Sequence, residues 1–140
     1  MFYNFEKTKE IKPIDNTYNL LNPIDLYEKL SNIWSMNTCA PRMRNEWSID
    51  NKTLGQCSIT AFLVQDIFGG DVYGIKIDNN NYHCFNVINN IKFDLTSEQF
   101  NYSLDYDNCI IQSRDIHFSK IEKYDRYNYL KNELLKAIKK

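Results

Sequence analysis

Residues 54–70 read LGQCSITAFLVQDIFGG, a cysteine after Gly-Gln followed by an apolar run that closes on two glycines. From Cys57 to Phe68 nearly every position is apolar or small, with Ser58, Thr60, Gln65 and Asp66 as the exceptions. That pattern predicts a mostly buried central helix over 57–68, which Gly69-Gly70 can end by supplying backbone freedom. Cys57 then falls in the first turn. Unpaired backbone N–H groups and the positive end of the helix dipole favour thiolate over thiol there, and the same N–H groups can stabilise an oxyanion. Such a cysteine becomes a nucleophile only beside a base, and the two histidines of the chain are His83 and His117.

The segments that follow choose between them. VYGIKI (72–77), YHCFNVI (82–88) and IKFDLT (91–96) are rich in β-branched and aromatic residues and are separated by Asn-rich turns, which predicts a three-stranded antiparallel meander. If Asn89-Asn90 is a two-residue hairpin loop, Ile88 pairs with Ile91, Phe85 lies opposite Asp94, and His83 lies opposite Thr96. Asp94 and His83 are then diagonal neighbours on one sheet face. An imidazole there could address Cys57 with one nitrogen and donate the other N–H to the carboxylate, the orienting logic of a catalytic triad. Asp94 has a second candidate role, capping the turn near Thr96. His117 lies just before the last helix without an evident partner and is read as a surface histidine.

Outward from this centre the signals are weaker. Residues 1–20 are polar without a clear period and are expected to form an arm over the surface of a single domain spanning 21–140. Asn22 can cap a helix over 23–34 that begins at Pro23 and carries Leu26, Tyr27, Leu30 and Trp34 at helical spacing. Residues 35–53 have no sustained period and are read as an irregular segment. CIIQS (109–113) is a candidate further strand, and Thr96/Gln99 and Ser119/Glu122 have capping-box spacing. The second pair precedes a terminal helix with Tyr127, Leu130, Leu134 and Ile138 as its apolar stripe.

Composition narrows the function classes. A chain of 140 residues with 43% hydrophobic and 25% charged content can bury a sizeable core. A net charge of -1, without a basic stripe, argues against nucleic acid. The N-terminal MFYNFEKTKEIKP has charges where a signal peptide would be apolar, and no stretch suits a bilayer span. A soluble, cytoplasmic protein with no membrane partner is expected. Cys39, Cys57, Cys84 and Cys109 are scattered without a CxxC pair, so free thiols are expected. A zinc site from Cys57, His83, Cys84 and Cys109 would lack the short ligand spacing of structural sites, and no metal or cofactor is expected.

Trp34-Ser35, Thr38, Trp47, Gly55-Gln56-Cys57, Thr60, Val64-Gln65-Asp66, Gly69-Gly70, His83, Asn86, Asp94-Leu95-Thr96, Gln99-Phe100 and Arg126-Tyr127 together resemble the YunG-like family of small bacterial proteins, over roughly residues 30–135. More broadly, Gly55-Gln56-Cys57 followed by His83 and Asp94 resembles papain-like and transglutaminase-like enzymes. That resemblance implies an α+β fold in which the helix headed by the cysteine packs on a small antiparallel sheet with flanking helices. It implies a Cys57-His83-Asp94 triad that cleaves or transfers an acyl group through a thioester, as a peptidase, amidase, deamidase or transglutaminase-type enzyme acting on a protein or peptide. It also makes Gln56 a candidate oxyanion donor and places Trp34, Trp47 and Asn86 as candidates for the substrate groove. Two departures from the family pattern are Cys84, where an aromatic follows the histidine, and Asn89-Asn90, where the turn carries Asp-Gly.

Each candidate has a plainer alternative. Cys57 could be a buried structural thiol; Trp34 and Trp47 could pack in the core; Arg42 and Arg44 could be a solvated pair rather than a carboxylate or phosphate site. The competing class for the whole chain is a non-catalytic protein-binding module that keeps the fold.

Overall fold

The computed structural model describes residues 1–139. Pro23 opens helix α1 (Pro23–Leu30), and Asn22 caps it by accepting from the Asp25 amide. The helix is shorter than the expected 23–34. After Leu30 the Ser31 hydroxyl turns back to the Tyr27 carbonyl and the chain tightens into a turn. Trp34 still reaches the core, its Nε1 donating to Thr60 Oγ1 at 3.1 Å. Within the segment read as irregular, Pro41–Glu46 forms a 3₁₀ helix.

Helix α2 (Cys57–Phe68) has the predicted bounds and ends on Gly69 at φ 86°. Its apolar positions are buried on all sides, with Ile59, Phe62, Leu63, Val64 and Ile67 fully enclosed. Leu63→Ala should therefore cost about 3 kcal/mol through lost transfer energy and a residual cavity, read as a shift in the denaturant midpoint at unchanged slope.

The fold is α+β. Strands β1 (Asp71–Lys76), β2 (Tyr82–Ile88), β3 (Ile91–Phe93) and β4 (Ile110–Ile111) form one antiparallel sheet in the order β3-β2-β1-β4. Asn89 and Asn90 take φ of 52° and 65°, the left-handed pair that a tight hairpin requires. The register follows: Ile88 pairs with Ile91 and Asn86 with Phe93. Asp94 then leaves the strand and bridges Tyr3 instead. Alternation sorts the β2 side chains: Cys84 and Ile88 join the core against α2, while Phe85 packs with Ile75 and Tyr106 on the other face.

Three expectations are corrected. Residues 1–20 are not a surface arm: Phe2, Ile11, Tyr18 and Leu20 are buried in the main core, where Phe2 packs on Tyr27 and Phe93. Neither capping box forms. Thr96 turns its hydroxyl to Asp94, and Ser119 bonds to the Ile116 carbonyl, because a short helix α3 (Arg114–Phe118), capped by Ser113, occupies that stretch. Helix α4 (Ile121–Ile138) follows, with Tyr127, Leu130 and Leu134 buried. Arg114 ties α3 to α2 and α4 by bonding Asp66, Gln65 and the Tyr127 hydroxyl. Among the described residues no helix is long and apolar enough to cross a membrane.

Candidate active site

The start of α2 is fixed from the loop before it. Gly55 sits at φ 73°, and a Cβ there would press on Cys39 Sγ and the Ala40 amide, so this position needs glycine twice over. The close approach draws Ala40–Met43 against the helix start and makes one wall of a cleft of about 640 Å³. Cys57 opens into this cleft and is half-buried.

Its sulfur lies against β2, with the Tyr82 carbonyl 4.0 Å away. A hydrogen bond from the Cys84 thiol, followed by the hydrogen bond and charge of His83, lowers the Cys57 pKa well below its ordinary value against the opposing effect of burial. Cys84 moves the other way, its thiol held protonated by bonding to Cys57 and by burial.

His83 is 2% exposed and bonds Asp94 Oδ2 through Nε2 at 2.6 Å. Burial opposes charge on the ring, but Asp94, then Cys57, overrides it and raises the His83 pKa to about 10. The two shifts point the same way, toward a negative sulfur and a positive ring. Asp94 is 1% exposed and fully occupied: Oδ2 also accepts from the Tyr106 hydroxyl at 2.7 Å, and Oδ1 accepts from the Thr96 amide and hydroxyl. Its two oxygens thus serve both roles that the sequence leaves open, histidine partner and turn cap. Phe100 meets the His83 ring edge-on at 4.8 Å. Neither Tyr106 nor Phe100 carries a local sequence signal for these positions, because each acts across a loop that only the tertiary fold closes.

The other sequence candidates lie elsewhere. Gln56 is fully buried; its Nε2 donates to the Ser35 carbonyl and so points away from oxyanion duty. Its Oε1 is buried without a partner among the described residues. Trp34 is core. Trp47 donates to the Lys52 carbonyl, and Asn86 donates to the Ala61 carbonyl to pin β2 to α2. None of these four lines the cleft. Arg44 bonds the Cys39 carbonyl, whereas Arg42 reaches the cleft.

His117 is not a surface histidine. It lines the same cleft, with Nε2 bonded to Gln112 Oε1 at 2.8 Å and Nδ1 accepting from Lys123 at 2.9 Å. These partners fix the tautomer as Nε2–H. Burial first, and then the Lys123 charge, lower its pKa to about 4, so it stays neutral. Among the described residues no group of three or more His, Cys, Asp or Glu is placed to hold a metal ion.

The family model described as YunG protein matches residues 22–139. The chain belongs to the YunG family. A relative, the uncharacterized YunG of Bacillus subtilis (strain 168), is 34% identical over 77 residues, which is 55% of this chain and 62% of that protein. The chain thus spans less than two thirds of this family member's length. No solved structure matches it.

Proposed function

We propose that this YunG family member is a cysteine-dependent amide hydrolase or acyltransferase of the papain-like and transglutaminase-like kind. The observation that supports the reading is a buried imidazole, bonded at Nε2 to a fully partnered carboxylate, that shares an open cleft with a cysteine at the first turn of a helix.

In this reading the Cys57 sulfur forms a bond to the substrate carbonyl carbon while the C=O pair moves onto oxygen. The resulting oxyanion faces the backbone N–H groups at the start of α2, a role that Gln56 is not free to share. His83 then gives its proton to the leaving amine as the C–N bond breaks, which leaves a thioester on Cys57. Water or an acceptor amine attacks the thioester with His83 as the base, the C–S bond breaks, and the thiolate–imidazolium pair is restored. Asp94 orients the ring and stabilises its charge throughout. A cleft of about 640 Å³ has room for a short peptide segment, and a protein or peptide is the proposed substrate. Four free cysteines support a reducing compartment such as the cytoplasm as the setting of the reaction in this reading.

The test uses an activated acyl ester and intact-mass spectrometry. Acylation should appear on Cys57, vanish in Cys57→Ala, and decay with water alone or faster with an added amine, which separates hydrolysis from transfer. Turnover should rise with pH through the lowered Cys57 pKa and fall as pH passes about 10, where His83 loses the proton owed to the leaving group. A protein that never acylates would be a non-catalytic protein-binding module on the same fold.

A further inference from the structure

The cleft carries positive charge, on α4 and its N-cap and on the Pro41–Glu46 helix, to which the acyl-transfer steps proposed above assign no role. Arg42, Lys120, Lys123 and Arg126 line the cleft against the carboxylates of Asp78 and Glu122, a cationic excess in a chain whose net charge is -1. The two carboxylates are already engaged. Glu122 holds Arg126, which also donates to the Thr38 carbonyl, and Asp78 accepts from the Asn80 amide and the Asn81 side chain. Among the described residues Arg42, Lys120 and Lys123 form no salt bridge.

Lys123 is the most constrained of the three. Its half-buried ammonium donates to His117 Nδ1, and His117 in turn donates to Gln112 Oε1. This chain spends one of three N–H donors and brings no negative charge, because both partners are neutral. A half-desolvated ammonium held this way gains most from an anion that completes its hydrogen bonding.

We propose that Lys123, positioned by the Gln112–His117 chain with Arg42 and Lys120 at the rim, is a subsite for a carboxylate of the molecule that enters the cleft. The site deepens the function proposed above and rests on the cleft receiving a substrate, not on its turnover. The carboxylate belongs either to an acidic side chain or to a peptide C-terminus, and both present the same planar anion to Lys123.

The experiment uses the Cys57→Ala protein, which cannot turn over, and nuclear magnetic resonance titration with two probe pairs. Acetyl-glutamate amide against acetyl-glutamine amide tests the side-chain source; acetyl-alanine against acetyl-alanine amide tests the C-terminal source. In at least one pair the carboxylate should bind about tenfold more tightly than its amide, the scale of one charge-assisted hydrogen bond, and that preference should shrink at high salt. Lys123→Met should abolish the preference and Lys123→Arg should keep most of it. Equal binding within both pairs, or a preference that survives Lys123→Met or is indifferent to salt, overturns the proposal. The salt series needs no substitution at Lys123, so indifference to salt overturns the proposal even if Lys123→Met folds poorly, and the Lys123→Arg protein then carries the assignment to this residue. A protein that binds the carboxylate but never acylates would keep this subsite and lose the catalytic reading.

Discussion

Iodoacetamide near pH 6 should alkylate Cys57 about tenfold faster than Cys109, with Cys39 and Cys84 slower still. An ordinary thiol with a pKa of about 8.5 is almost wholly protonated at that pH, and the lowered pKa of Cys57 raises its share of reactive thiolate; the weaker nucleophilicity of a low-pKa thiolate takes back part of the gain. Cys39 and Cys84 are buried and their pKa values are raised, whereas Cys109 is half-buried and serves as the accessible control. His83→Ala removes one hydrogen bond and the imidazolium charge and should cut the selectivity severalfold. Cys84→Ala removes the bond that lowers the Cys57 pKa most and should cut it as well, whereas Cys84→Ser retains a donor and should preserve it. Selectivity should fade above about pH 8.5, where ordinary thiols ionise too. Peptide mapping after a short exposure reads every site at once. Uniform labelling of Cys57 and Cys109 at pH 6 would remove the ground for a thiolate–imidazolium pair.

The parts of this arrangement that the sequence reveals are those with a local period. A mostly apolar run of twelve residues bounded by Gly-Gln and Gly-Gly predicts α2 to the residue. A period of two with Asn89-Asn90 between the strands predicts the Ile88–Ile91 register, and Asp94 meets His83 from just beyond the end of β3. Contacts across long separations have no such signature. Tyr106 reaches Asp94 from a loop, Lys123 reaches His117 from the next helix, and Phe2 enters the core from a segment whose polar pattern predicts a surface arm. The sequence also misplaces polar side chains that neighbour Cys57 or His83 in the chain. Gln56 and Asn86 point away from the cleft because a buried amide must first satisfy its own N–H groups, and the nearest acceptors are the Ser35 and Ala61 carbonyls. Proximity along the chain does not decide direction; the local hydrogen-bond inventory does.

Asp94→Ala should be among the most destabilising single changes in the protein, at about 3–5 kcal/mol, because it strands a buried imidazolium and leaves the Tyr106 hydroxyl and the Thr96 amide without their acceptor. Asp94→Asn keeps the volume and an acceptor oxygen and should cost less, which makes it the better probe of charge. In a Cys57→Ala background the thiolate no longer contributes, so the His83–Asp94 pair can be read alone. The His83 pKa is raised in the fold from 6.5 toward 10, with Asp94 as the largest raising influence. At pH values between these limits the native state binds a proton that the unfolded chain does not, so stability must fall as pH rises. The contribution of the pair is complete below pH 6.5 and lost as pH climbs through the folded pKa, which without Cys57 lies somewhat under 10. Asp94→Asn removes the charge that holds that proton. Urea denaturation of the two proteins should therefore show a wide stability gap near pH 6 that closes as pH approaches 10. A gap that stays constant across this window would mean that His83 is neutral throughout. Asp94 would then be a structural turn cap, and the base in the cysteine chemistry would start without the proton that the mechanism requires it to give.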